Sequence, residues 1–209
     1  MWLTTRCFQT TPGCKNAGRG ANLSSAFPSE HGMIGNAWLD RAMGALGYNS
    51  EDPDDALLGV PGFGGDGEQV DPAQAAAASN GRSPVNILVS TFADELYKLN
   101  NGKSKIFSVS GKGRSPVAMG GHVSKAFWMS TATGAFETST YYYDAYPDWV
   151  IDWNAQRPAD AALGTKLSLA DPIDTYLLRE NDDRPYDVDL KGFGKTFPHE
   201  YGTPEGGLY

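Results

Sequence analysis

Residues 84 to 128 narrow the choice of fold more than any other part of the chain. Between Pro84 and Asn100 the apolar residues Leu88, Phe92, Leu96 and Leu99 recur at intervals of four, four and three. That spacing gathers side chains on one face of an α-helix. The pattern predicts a helix over 84–100 that packs this face on a sheet and leaves Asp94, Glu95 and Lys98 to water. Asn100-Asn101-Gly102 ends it, because Asn and Gly tolerate the left-handed backbone that closes a last helical turn. Lys105 to Val109 then reads as a short, mostly buried strand, and the order helix, strand, glycine loop points to the α/β class.

The loop after that strand is Ser110-Gly111-Lys112-Gly113-Arg114. In open α/β sheets the carboxyl ends of the strands are where ligands bind. Lys112 supplies a compact positive charge and Arg114 a planar fork of donors, a pair that suits the oxygens of a tetrahedral oxyanion. Taken alone, a Lys-x-Arg turn is more often a solvated basic loop.

The overall charge makes such a local site necessary for any anionic ligand. With 17 Lys and Arg against 25 Asp and Glu the net charge is −8 and the pI about 4.8, which argues against a nucleic-acid backbone binder with its basic stripe. A chain of 209 residues with 40% hydrophobic content and 25 glycines fits one loop-rich domain, not a disordered chain. No apolar run is long enough for a membrane span, and Met1 to Gly20 lacks the basic-then-apolar order of a signal peptide. Cys7 and Cys14 are the only cysteines. They exclude a disulfide framework and a cysteine-rich zinc site, leaving at most one local bridge.

Elsewhere the signals are sparser. Pro28 to Asn36 contains Gly32 and Gly35, which permit a tight turn. Asn36 offers an amide donor suited to a phosphoryl oxygen, the alternative being a turn Asn with positive φ. Gly44 to Pro84 reads as an excursion with the acidic cluster Glu51-Asp52-Pro53-Asp54-Asp55 and a short helix over Ala73 to Ala78. Gly62 to Gly67 is no dinucleotide fingerprint without a preceding strand, and Gly102-Lys103-Ser104 is no P-loop, because Tyr97 stands where the leading glycine belongs. Lys125 to Met129 reads as an aromatic strand with Ala135 to Tyr143 as hairpin partner, and Pro147 to Asn154 as a helix that Gln156 to Leu163 prolongs. The chain after Ser168 reads as loop with no closing strand, as if it stopped in mid-domain. His31, His122 and His199 are the only histidines and are far apart; His31 and His122 read as structural, and His199-Glu200 lacks the second His of a zincin helix.

Two ordered blocks carry a resemblance. Thr91-Phe92-Ala93-Asp94-Glu95-Leu96, Ser104 to Ser110, Lys112-Gly113-Arg114, Gly121-His122 and Ala126-Phe127-Trp128 make one; Phe27 to Asp40, a P-x-x-H-G-I-x-G-N-x-W-Y-D-like stretch, makes the other. Together they resemble the alkaline phosphatase superfamily, in the branch of phosphate-irrepressible alkaline phosphatases and type I phosphodiesterase/nucleotide pyrophosphatases. The resemblance implies an α/β fold: a partial alkaline-phosphatase-like sheet with helices and an inserted cap segment. It implies one partial domain over 1–209, with 1–20 irregular and 104–205 largely cap insertion.

By family position Asn36, Lys112 and Arg114 would hold the phosphoryl oxygens of a small phosphate ester, and a Thr or Ser in a T-x-P-G-H pattern would be the nucleophile. Thr10-Thr11-Pro12-Gly13 supplies T-x-P-G, which makes Thr10 the candidate catalytic residue. Cys14 replaces the His, however, and Thr10 lies 26 residues before Asn36 where the family has about twenty-one. Counting back by the family distance lands on Lys15 instead, so an insertion, a lost nucleophile and an aberrant leading segment all stay open. The family works with two zinc ions and is periplasmic or extracellular. This chain shows none of the expected zinc ligands and is not expected to bind zinc alone. The reading is therefore a phosphoester hydrolase fragment incomplete for catalysis, with a non-catalytic phosphate-binding or interaction module as the alternative.

Overall fold

Ala126-Phe127-Trp128-Met129 is an uninterrupted apolar run, as in a strand covered on both faces. In the computed structural model it lies at the middle of a three-stranded sheet. The structure describes residues 24–41, 44–62, 79–130, 133–177, 183–189 and 194–202. Thr10, Cys7, Cys14, Lys15 and the helix expected over Ala73 to Ala78 lie outside the described residues.

Two small elements come first. Pro28–His31 is a one-turn helix (α1) closed by Gly32 at φ 80°. β1 (Ala37–Asp40) and β2 (Ala45–Tyr48) form an antiparallel hairpin in which Ala37 faces Tyr48 and Asp40 faces Ala45. The hairpin was not legible as such in the sequence, where the stretch reads only as a turn.

The expected long helix is shorter. α2 spans Phe92–Leu99, because Thr91 and Asp94 close a reciprocal capping box at its start: Thr91 Oγ1 accepts from Asp94 N at 3.3 Å and Asp94 Oδ2 accepts from Thr91 N at 2.7 Å. Its burial also departs in part from expectation, although Glu95 and Lys98 face water as expected and Leu96 is half-buried. Leu88, Phe92 and Leu99 are 70%, 68% and 79% exposed, whereas Ala93 and Asp94 are buried. The reason is Asp94, whose carboxylate is captured by the backbone N–H groups of His122 and Val123 at 2.9 and 3.2 Å, which turns that edge inward. Asn101 and Gly102 adopt φ of 50° and 77° and end the helix as expected.

β3 (Phe107–Ser110) pairs in parallel with β4 (Lys125–Met129), Phe107 facing Lys125 and Ser110 facing Trp128. The crossover carries α3 (Arg114–Gly120), a helix that the sequence reading did not anticipate beyond the loop ending at Arg114. Close seating explains its glycine end: a Cβ at Gly120 would lie 1.9 Å from Ser124 Oγ and 2.5 Å from Ser108 Oγ. β3 is not mostly buried, since Phe107 and Val109, on the face away from α3, remain 52% and 58% exposed. The expected hairpin partner shrinks to β5 (Phe136–Glu137), antiparallel to β4 in the register Trp128–Glu137 and Met129–Phe136.

β4 joins the core from both sides. Ala126 and Trp128 pack with Val117 of α3 and with Tyr142, and Phe127 packs with Val60, Ala135, Tyr146 and Val150. Val150 belongs to α4 (Asp148–Ala155), for which Pro147 is the N-cap. Phe127 meets the Trp149 ring edge-on at a centroid distance of 5.3 Å, a favoured aromatic geometry. Met33, Ile87 and Ala118 form a third cluster that ties the segment after α1 to α3.

Beyond α4 the expected helical continuation is a 3₁₀ turn, Pro158–Ala162. The C-terminal part also corrects the loop reading: β6 (Lys166–Leu167) pairs antiparallel with β7 (His199–Glu200). No helix among the described residues is long and apolar enough to cross a membrane. The mixed α/β class is as expected.

Candidate functional site

The parallel β3–α3–β4 unit sets the stage, because a β-strand that must return in parallel sends its crossover out past its carboxyl end. Lys112 lies in that exit and is exposed, and its carbonyl accepts from Ser115 N at 3.0 Å. Gly113 follows, where a Cβ would stand 3.3 Å from the Trp128 indole. The missing side chain lets the loop lie flat on the buried tryptophan. Arg114 is the first residue of α3 and is half-buried.

Arg114 does not simply project into water. Its Nη1 donates to the Tyr48 hydroxyl at 3.1 Å. Tyr48 ends β2, is 1% exposed, and pairs across the hairpin with Ala37, the neighbour of Asn36. Asn49 continues the connection, its N–H donating to the Asn36 carbonyl at 3.0 Å and its Nδ2 to the Gly35 carbonyl at 3.3 Å. The Arg114–Tyr48 hydrogen bond thus joins the loop with Lys112 and Arg114 to the hairpin whose entry is Asn36.

Asn36 departs from the turn-residue alternative. Among the described non-glycine residues positive φ occurs at Ser25, Asn101 and Arg157, so Asn36 does not occupy a left-handed turn. Its side-chain Oδ1 is buried and meets no hydrogen-bond partner among the described residues. A buried amide oxygen left so is unfavourable, and no local bond accounts for the orientation of this amide.

Charge near the site comes also from a residue the sequence reading passed over. The Arg82 guanidinium stands 5.2 Å from the Tyr48 ring centroid, within cation–π range, and its Nη1 donates to the carbonyls of Ser79 at 3.1 Å and Gly81 at 2.7 Å. Tyr48 therefore carries one guanidinium on its face and another on its hydroxyl. The available signal for Tyr48 was spacing: two four-residue strands after Asn36 return the second strand's last residue to the start of the first.

His122, His31, Asp94 and Asp52 are each engaged within the protein. His122 Nδ1 lies 3.0 Å from Asp94 Oδ2 and its Nε2 lies 2.9 Å from the Ile87 carbonyl. His31 is fully buried, and its Nδ1 accepts from Met33 N at 3.1 Å. Burial pushes the Asp94 carboxyl up, but the hydrogen bonds from Thr91 and His122 outweigh it and hold it below the ordinary carboxylate range. Asp52 accepts from the Ser83 hydroxyl at 2.5 Å. Among the described residues no three or more His, Cys, Asp or Glu side chains gather in a metal-binding group. The described residues thus bring together no ligand set that fits a two-zinc centre.

Comparison with known proteins places this geometry in context. Residues 21–190 match the family described as type I phosphodiesterase / nucleotide pyrophosphatase. The chain is 34% identical over 193 residues to alkaline phosphatase PhoV of Synechococcus elongatus, covering 90% of this chain and 32% of that protein. It is 32% identical over 185 residues to a calcium-transporting ATPase of Myroides odoratus, covering 88% of this chain and 31% of that protein. Among solved structures, the crystal structure of wild-type alkaline phosphatase PafA matches with a TM-score of 0.73 at 30% identity, over 90% of this chain and 34% of that one. A PafA variant with a Thr, an Asn, a Lys and an Arg replaced, the last two being two positions apart, matches with a TM-score of 0.68 at 25% identity, over 91% of this chain and 34% of that one. The chain spans about a third of the length of these relatives.

Proposed function

The chain belongs to the type I phosphodiesterase / nucleotide pyrophosphatase family, and from that premise we propose that it is the phosphate-holding part of a phosphoester hydrolase. In this reading Asn36, Lys112 and Arg114 bind the non-bridging oxygens of a small phosphate ester. The observation that carries it is the Arg114–Tyr48 hydrogen bond, which holds the Lys112–Arg114 loop against the hairpin that Asn36 precedes. The Lys and Arg replaced in the PafA variant have the same two-residue spacing as Lys112 and Arg114, which supports the assignment.

The chemistry follows from charge. Phosphoryl transfer spreads negative charge over the equatorial oxygens, and a pre-placed cation, a planar guanidinium and a neutral amide stabilise it without reorganising. Two cations favour a monoester dianion over a diester monoanion. Thr10 is the candidate hydroxyl nucleophile. The family's two zinc ions would stabilise the attacking and leaving oxygens, and since the described residues do not fit them, we assign this chain phosphate binding with little or no turnover. We further assign it one partial domain, in which 104–205 is largely the segment over the site.

Purified chain incubated with an aryl phosphate, with and without added zinc, tests the reading together with a phosphate titration. Phosphate binding with negligible hydrolysis is expected. Absence of phosphate binding would refute it, and zinc-dependent turnover lost in Thr10→Ala would replace the fragment reading by a complete enzyme.

A further inference from the structure

We propose that Tyr48 is the positioning residue for Arg114, a proposal that rests on Arg114 being a phosphate ligand. A guanidinium presents its donors usefully only when its plane is fixed, because the side chain has several rotatable bonds and loses binding strength to every orientation that misses the anion. Tyr48 supplies a fixed acceptor. Its ring is 1% exposed, its main chain is locked by the β1–β2 ladder and by the bond from Tyr48 N to Glu51 Oε2 at 3.0 Å, and its hydroxyl takes Arg114 Nη1 at 3.1 Å.

Tyr48 is itself held in place. Arg82 lies over its face at 5.2 Å and is fixed in turn by the carbonyls of Ser79 and Gly81. Asn86 Nδ2 bridges the carbonyls of Asn49 and Glu51 at 3.3 Å each, stiffening the chain that leaves β2. As a neutral hydroxyl, Tyr48 anchors the guanidinium plane through one nitrogen of Arg114 without adding a negative charge of its own. That is the specific advantage of a tyrosine here.

The experiment is a double-mutant cycle on the full chain with inorganic phosphate as the probe, read by isothermal titration, across wild type, Tyr48→Phe, Arg114→Ala and the double variant. Removing one hydrogen bond to a charged group is expected to weaken phosphate binding roughly tenfold in Tyr48→Phe, with no further loss when the same change is made in Arg114→Ala. A general structural role would instead weaken binding equally in both backgrounds and would overturn the proposal. Loss in Arg114→Ala with none in Tyr48→Phe would overturn it while leaving the phosphate site intact. Binding unaffected by Arg114→Ala, or absent from the wild type, would overturn the site itself and this inference with it. If Tyr48→Phe does not fold, nitrogen-15 spectra of the wild-type chain decide the matter. The Arg114 Nη signals, assigned by their loss in Arg114→Ala, are expected to show slowed rotation before phosphate is added, and fast rotation would refute the anchor.

Discussion

Replacing Asp94 by alanine should unbalance more of this molecule than any other single change on α2. The carboxylate is 4% exposed and accepts from Thr91 N at 2.7 Å, Thr91 Oγ1 at 3.0 Å, His122 N at 2.9 Å and Val123 N at 3.2 Å, with the His122 ring at 3.0 Å. Alanine leaves three backbone donors without their acceptor. Each unsatisfied donor costs about 1–3 kcal/mol, and water reaches the half-buried His122 and Val123, so the sum is about 3–5 kcal/mol. For a chain of this size that corresponds to a melting temperature lower by on the order of 10 °C, measurable by thermal circular dichroism.

The pH dependence gives a second readout of the same bonds. Asp94 has a lowered pKa in the fold, so its contribution is present above the unfolded carboxylate pKa and is lost as the pH falls through the folded value. Wild type should therefore lose stability below about pH 4 more steeply than Asp94→Ala does. A melting temperature in Asp94→Ala within about 2 °C of wild type, or parallel acid profiles, would refute the reasoning.

Three further outcomes follow from the packing. Gly121→Ala should destabilise by about 3–5 kcal/mol, because φ 63° with ψ −152° is backbone that only glycine adopts readily and a Cβ would lie 2.2 Å from Thr91 Oγ1; denaturant unfolding checks it, and a near-neutral result would contradict the close approach. Phe92→Ser should change stability by less than about 1 kcal/mol while Trp128→Ala costs about 3–5 kcal/mol, since the first is 68% exposed and the second fully buried; comparable losses in urea melts would show that the apolar stripe of α2 is core after all. Zinc should not raise the melting temperature of the purified chain, because the His122 and Asp94 donors are already engaged with each other, and a zinc-dependent rise in a thermal-shift assay would refute this.

How far the sequence led depends on which forces shaped each element. The strand at Lys125 to Met129 was legible because apolar composition alone marks a strand buried on both faces. Asn101-Gly102 was legible because left-handed backbone has few takers. α2 misled: its apolar period is real, but the capping box at Thr91 and the capture of Asp94 by backbone N–H groups 28 and 29 residues away decided which edge went inward. No local pattern records that. α3 was hidden because the glycine loop was followed only to Arg114; Pro116 is tolerated in the first turn of a helix, and Gly113 is needed for contact with Trp128.

At the site, Lys112, Arg114 and Asn36 were named from loop chemistry and from the resemblance, whereas Tyr48 depended on hairpin register. A tyrosine after a glycine in a short strand carries no chemical signature until Ala37 and Tyr48 are known to face each other. The family was legible because two motifs occur in order. Thr10 lies outside the described residues, so its distance from Asn36 along the chain is the only relation available for it.

The claim on which the account rests is that Asn36, Lys112 and Arg114 bind one phosphate together. Isothermal titration of inorganic phosphate into the wild-type chain and into Asn36→Ala, Lys112→Ala and Arg114→Ala tests it most directly. The account predicts one saturable site, weakened about tenfold or more by each substitution, as expected when a charge-assisted hydrogen bond is removed. A wild-type chain that fails to bind phosphate, or binding that survives all three substitutions unchanged, would contradict it.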